Sequence, residues 1–138
     1  MSYADPSLQL QKAIVAWLKA DAGVAAIIAG RIYDAVPAAA VKPYLSFGPF
    51  QLLPEHGDCL DGGEAIVTLD GWAAGPDTVA IKQLGTAVAH ALDMAPIVLD
   101  APQRLVEISV EQTQYMRDPD GITAHAVITV KAFTEPTS

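Results

Sequence analysis

The run Arg31-Ile32-Tyr33-Asp34-Ala35-Val36-Pro37, continued across residues 38–42 into Pro43-Tyr44-Leu45-Ser46-Phe47-Gly48-Pro49-Phe50, divides the chain in two. Before it, apolar residues recur at helical spacing; after it, most stretches alternate with the period of a strand. Residues 31–34 read as extended and Pro37 breaks them, leaving 38–41 as a linker or turn. Residues 43–53 read as the first long strand, with Tyr44, Ser46 and Gly48 on one side and Leu45, Phe47 and Pro49 on the other. Proline cannot donate to a ladder, so this strand is expected at a sheet edge or bulged near Pro49.

Toward the N-terminus, Asp5-Pro6 pairs an oxygen-bearing cap with proline at a first helical position, and Leu8, Ile14, Val15 and Leu18 follow at helical spacing. The spacing predicts a helix over about 6–20, with Trp17 as a core anchor that joins it to the sheet. Asp21 caps a second, short helix through Val24, Ala25, Ile27 and Ile28, and Gly30 supplies a left-handed stop.

Toward the C-terminus, residues 54–63 form a polar loop, and 64–72 return as a second strand to make an antiparallel hairpin. Gly75-Pro76-Asp77 turns the chain into a helix capped by Asp77 or Thr78, with Ile81, Leu84, Val88 and Leu92 as its apolar stripe. Gly85 within that helix costs about 1 kcal/mol relative to alanine, which close packing against the sheet would explain. A short strand is expected at 97–99, and a long one at 104–115 with Val106, Ile108 and Val110 inward. Asp118-Pro119-Asp120-Gly121 is a strong turn signal. Its partner strand covers 122–133, Ala124, Ala126, Ile128 and Val130 sharing one face, and the tail from Thr134 is expected to fray. The fold class is α+β: a mostly antiparallel sheet with N-terminal helices and one further helix packed on it, in a single domain over 1–138.

Sixteen acidic residues against eight basic ones give a net charge of −8, which argues against a general nucleic-acid-binding surface. A single cysteine, Cys59, excludes an intramolecular disulfide. No secretory leader or membrane-length apolar run is found, so a soluble protein made inside the cell is expected, with no membrane partner.

The chemistry-bearing residues form no catalytic constellation. Cys59 follows His56 at three residues, but the surrounding carboxylates disfavour a thiolate, and no nucleophile elbow occurs. His56, Asp58, Cys59, Asp61 and Glu64 lie close in sequence yet match neither zinc nor calcium spacing. His90 and His125 read as surface or partly buried polar residues. No catalytic residue, metal or cofactor is therefore assigned, and the alternative that remains is a small metal- or ligand-binding protein using the 54–64 loop.

Taken in order, Trp17-Leu18-Lys19-Ala20-Asp21, Arg31 to Pro37, Pro43-Tyr44-Leu45, Asp70-Gly71-Trp72 and the closing turn Asp118-Pro119-Asp120-Gly121 resemble the tail terminators of tailed phages and gene transfer agents. These are also called tail-completion or tail-to-head joining proteins. The resemblance implies a structural protein, not an enzyme. It implies a homo-oligomer, a hexameric ring that caps the tail tube, ends its polymerisation and meets the head-completion or connector protein. DNA would pass through the channel without specific binding, in a phage-like particle whose parts are made in the bacterial cytoplasm. The candidate assembly contacts are Glu55, His56, Asp58 and Asp61 in the first loop and Asp118 and Asp120 in the last turn.

Overall fold

The computed structural model describes residues 3–55 and 62–137. Helices α1 (Ser7–Ala20) and α2 (Ala22–Ile28) lead into β1 (Ile32–Tyr33), β2 (Tyr44–Pro54) and β3 (Gly63–Ala74). Helix α3 (Val79–Leu92) then crosses to β4 (Gln103–Arg117), and β5 (Thr123–Pro136) returns. The strands lie in the order β1-β2-β3-β5-β4. Among the described residues only the two-residue β1 pairs in parallel; β2–β3, β3–β5 and β5–β4 are antiparallel. The expected α+β class holds.

The decisive stretch acts as a clasp. The Leu45 N–H donates to Arg31 O at 2.9 Å, and Arg31 Nε donates to Pro43 O at 2.9 Å. These bonds tie the end of the helical third to the first long strand. The expected irregularity at Pro49 is present: the β2–β3 register shifts between Phe47 and Phe50. Beyond Ser46, β2 has no β1 partner and runs as an edge.

Asp21 accepts from the Val24 N–H at 3.0 Å and caps α2 as expected. Pro6 rather than Asp5 holds the cap position of α1, and the Asp5 carboxylate accepts from the Ser7 N–H at 2.8 Å from one residue further out. The stripe of α1 differs from expectation. Leu10, Ile14 and Leu18 are fully buried at i, i+4, i+8, whereas Leu8 is 70% exposed. One turn after another on the same face selects Leu10, and Leu8 falls outside that row. Trp17 is half-buried and its indole N–H donates to Ala91 O at 2.8 Å, so it bridges α1 to α3 rather than to the sheet. The left-handed stop of α2 falls one residue before the expected glycine: Ala29 is left-handed at φ 50, and Gly30 follows at φ 79.

The helices cover one face of the sheet. Leu45, Ala65, Val67, Leu69, Ala73, Ala124, Ala126, Ile128, Val130 and Ala132 point into the shared core with Ile81, Leu84, Val88 and Leu92 of α3. Small residues let α3 approach closely: a Cβ on Gly71 would meet Leu84 Cδ2 at 3.3 Å and Ile81 Cδ1 at 3.5 Å.

Strand β4 corrects the simplest alternation. Its register with β5 shifts between Leu105 and Glu107 and again between Val110 and Gln112. Each extra residue reverses which parity faces the core. Inward positions therefore run Gln103 and Leu105, then Ile108 and Val110, then Thr113 and Tyr115. Val106, expected inward, is the residue left over at the first bulge and is 54% exposed. The expected strand at 97–99 is not formed, although Ile97 and Leu99 are buried. Pro96 has no N–H, and the neighbouring groups of β4 are already used: Met94 N–H donates to Ile108 O at 2.8 Å, and Val110 N–H donates to Asp93 Oδ1 at 2.9 Å. The tail is not frayed at Thr134 either. Thr134, Glu135 and Pro136 pair with Leu105, Arg104 and Gln103, and the Thr137 N–H donates to Pro102 O at 2.7 Å.

Candidate assembly surfaces

The strand ends that carry the two candidate loops do not converge. Loop 55–62 joins β2 to β3, and turn 118–122 joins β4 to β5. Because Gly63 pairs with Thr134 and Ala74 with Thr123, these connections lie at opposite ends of the sheet. The twelve residues of β3 separate them by roughly 36 Å at ~3.3 Å per residue.

At the first end, Glu55 is exposed and its N–H donates to Gly62 O at 2.9 Å, closing the neck of the loop. His56, Asp58, Cys59 and Asp61 lie outside the described residues. Beside this end, Lys131 sits between Glu111 at 3.0 Å and Glu64 at 3.5 Å, which hold its ammonium pKa above the usual lysine value. Arg104 pairs with Glu135.

At the second end the turn is anchored. Asp118 N–H donates to Thr123 O at 2.9 Å, and Gly121 N–H donates to Asp118 O at 3.0 Å. Asp120 accepts from the Thr123 hydroxyl at 2.7 Å and from the Ile122 and Thr123 N–H groups at 2.9 Å each. Lys42 Nζ donates to the same hydroxyl at 2.6 Å. Gly75 N–H donates to Ile122 O at 2.6 Å, and Arg117 Nε donates to Pro76 O at 3.0 Å, joining the neighbouring connection to this corner. Asp120 therefore serves its own turn first, while among the described residues the Asp118 carboxylate takes no hydrogen bond.

These bonds, the Thr123 hydroxyl's first and the Ile122 N–H's next, pull the Asp120 pKa below its ordinary value. The ionised form is the one that accepts, so the turn's contribution is present above the ordinary carboxylate pKa. It is lost as pH falls through the lower folded-state value. An NMR titration of the Asp120 carboxyl carbon is expected to show a midpoint below that of a free aspartate. Replacing Thr123 with valine should move the midpoint upward.

The helix-free face carries a feature missed in the sequence. Tyr44, Trp72, His125 and Met116 form one row across β2, β3, β5 and β4. His125 stacks on Trp72 at 3.9 Å between ring centroids, 7° from parallel, and its Nε2 lies 2.8 Å from Asp70 Oδ1. A carboxylate only accepts, so the ring proton sits on Nε2. The Trp72 indole N–H donates to Ser46 Oγ at 3.1 Å, and Tyr44 continues the cluster to Tyr33 at 5.7 Å. Of the two expected settings for His125, surface or partly buried, the structure has the second; its partners depend on β3–β5 register, which no local motif announces.

A groove of about 610 Å³ separates α3 from β4, lined by Gly85, Thr86, Ala89, His90, Asp93, Val110, Thr113 and Tyr115. His90 is exposed at its rim. Among the described residues no group of three or more His, Cys, Asp or Glu side chains is placed to hold a metal ion. Among the described residues no helix is long and apolar enough to cross a membrane.

Helices thus cover one face of the sheet, and the two candidate connections leave from its opposite ends. The family model described as tail completion protein gp17 matches residues 12–135, and the chain belongs to that family. It is a structural protein of a phage-type tail. A chain in a solved structure, the virion of a native gene transfer agent (GTA) particle, is similar at a TM-score of 0.86 and 27% identity, covering 97% of this chain and 99% of that one. No curated protein sequence matches the chain.

Proposed function

We propose that the protein closes a phage-type tail as a ring of six subunits, with residues 1–138 acting as one domain. The ring caps the tail tube, ends its polymerisation and presents its other side to the head-completion or connector protein. Membership in the tail-completion family is the observation that carries this reading. The separation of the 55–62 loop from the 118–122 turn supports it, because a joining ring needs two opposed contact surfaces. Cyclic assembly repeats each surface around the axis, so contacts too weak alone act together. The likeness to a chain of a gene transfer agent virion supports a place in a phage-like particle, its parts made in the bacterial cytoplasm. A net charge of −8 suits a channel that lets DNA pass without specific binding.

In this reading Glu55, His56, Asp58 and Asp61 contact one partner, and Asp118 and Asp120 sit at the surface that meets the other. Deleting residues 58–61, while keeping Gly62 at the neck, is the direct test. The variant is expected to keep its circular dichroism spectrum and lose tail-length control or head joining in a particle-assembly assay. Normal particles would remove this loop from the contact, and an unfolded variant would make it structural.

A further inference from the structure

We infer that the bare outer edge of β2 pairs with the outer edge of β4 from a second copy of this chain, at its segment 112–116. This rests on the ring reading and specifies how adjacent subunits join.

The sheet's two edges are treated differently. The middle of β4's outer edge is occupied: Met94 caps Ile108 O and Asp93 caps Val110 N–H. Two bulges interrupt it, and Arg104, Glu107, Glu111 and Arg117 are distributed along it. Those are devices that discourage strand pairing. They leave one stretch, Gln112-Thr113-Gln114-Tyr115-Met116, which is uncharged.

The β2 edge has its own interruption, Pro49 and the register shift between Phe47 and Phe50, but it carries no charge, and Gln51-Leu52-Leu53 beyond that shift is left open. Past the short β1 contact, no further outer-edge backbone partner occurs among the described residues. From Pro43 to Pro54 there is no charged residue, although the chain carries a net charge of −8. Leu53 is 43% exposed there. A net charge of −8 sets copies of this chain to repel, and contacts through uncharged backbone edges add least to that repulsion. The β2 edge and segment 112–116 are such surfaces, which selects a second copy over a strongly charged partner.

Strand direction agrees. The antiparallel series β2–β3–β5–β4 makes β2 and β4 run oppositely within one subunit. Rotation about an axis along the strands preserves these directions, so a neighbour's β2 meets β4 antiparallel. The open segments lie toward opposite ends of the sheet, so the pairing is staggered, as closure of tilted strands into a ring requires. The contact joins two different patches, which propagates around a ring instead of stopping at a dimer.

Cysteine cross-linking tests this in the full chain with Cys59 replaced by serine. Gln51→Cys or Leu53→Cys is combined with Gln112→Cys or Gln114→Cys; all four positions share the helix-free face. The samples are oxidised alone and after assembly on tail tubes, and rings are scored by electron microscopy. At least one double variant is expected to give a disulfide ladder extending beyond the dimer, while each single variant gives none. Dimers from a β2 single variant, stopping at two, would overturn β4 as the occupant. Rings that form without cross-linking in any pair would overturn the edge pairing and leave the ring reading standing. If no rings form under either condition, the ring reading fails and this inference fails with it.

Discussion

Replacing Leu84 with alanine is expected to lower the stability of the protein by about 2–5 kcal/mol, the range for truncating a buried leucine. Leu84 is fully buried. Its Cδ2 lies against the space above Gly71, where β3 has no side chain to move into a vacancy. The nearby sheet face is built from small residues, including Ala124 and Ala126, so collapse into the space would require movement of backbone rather than of side chains. Denaturant unfolding followed by circular dichroism gives the result directly. An unchanged midpoint at unchanged slope would remove Leu84 from the contact between α3 and the sheet.

The second large effect concerns Gly85, one residue along the same helix. Alanine would ordinarily stabilise a helix interior by ~1 kcal/mol over glycine. Here the expected result is the reverse, a loss of about 1–3 kcal/mol from overpacking. A Cβ at this position would run into the Tyr115 hydroxyl and approach Cε1 and Cζ at 2.7 and 2.8 Å. The ring is stiff and its backbone is held opposite Ala126 in the β4–β5 ladder. Adding Tyr115→Ala should remove the clash, so the double variant should lose less than the two single losses added together. A stabilised Gly85→Ala protein would show that the ring moves aside freely.

These two residues mark where the sequence was legible. The stripe of α3 could be read from periodicity, and the cost of Gly85 pointed to a close approach, although Tyr115 could not be identified as the reason. Asp21 announced the second helix by its chemistry, and Pro49 announced the β2 irregularity by its missing N–H. The bulges of β4 had no such marker. Val106, Ile108 and Val110 alternate without a break, yet Val106 is displaced by an insertion that only the pairing with β5 reveals. The order Leu8, Leu10 posed a similar problem, because two leucines near a helix start fit neighbouring rows and burial chose the second.

The candidate site was legible in part for the same reason. Turn chemistry identified Asp118 to Gly121, but the demand on Asp120 from Ile122 and Thr123 appears only when the turn closes. That the 55–62 loop and this turn occupy opposite ends follows from β3 pairing with β5, strands far apart in sequence. The stacking of His125 on Trp72 depends on the same register.

The central claim is that this subunit completes a tail by closing into a ring at its end. Its most direct test is electron microscopy of the purified protein with tail tubes, with symmetry and position determined by averaging. A six-fold ring is expected at one terminus of each tube, with tubes so capped no longer elongating when tube protein is added. Protein bound along the tube wall, or capped tubes that continue to grow, would contradict it.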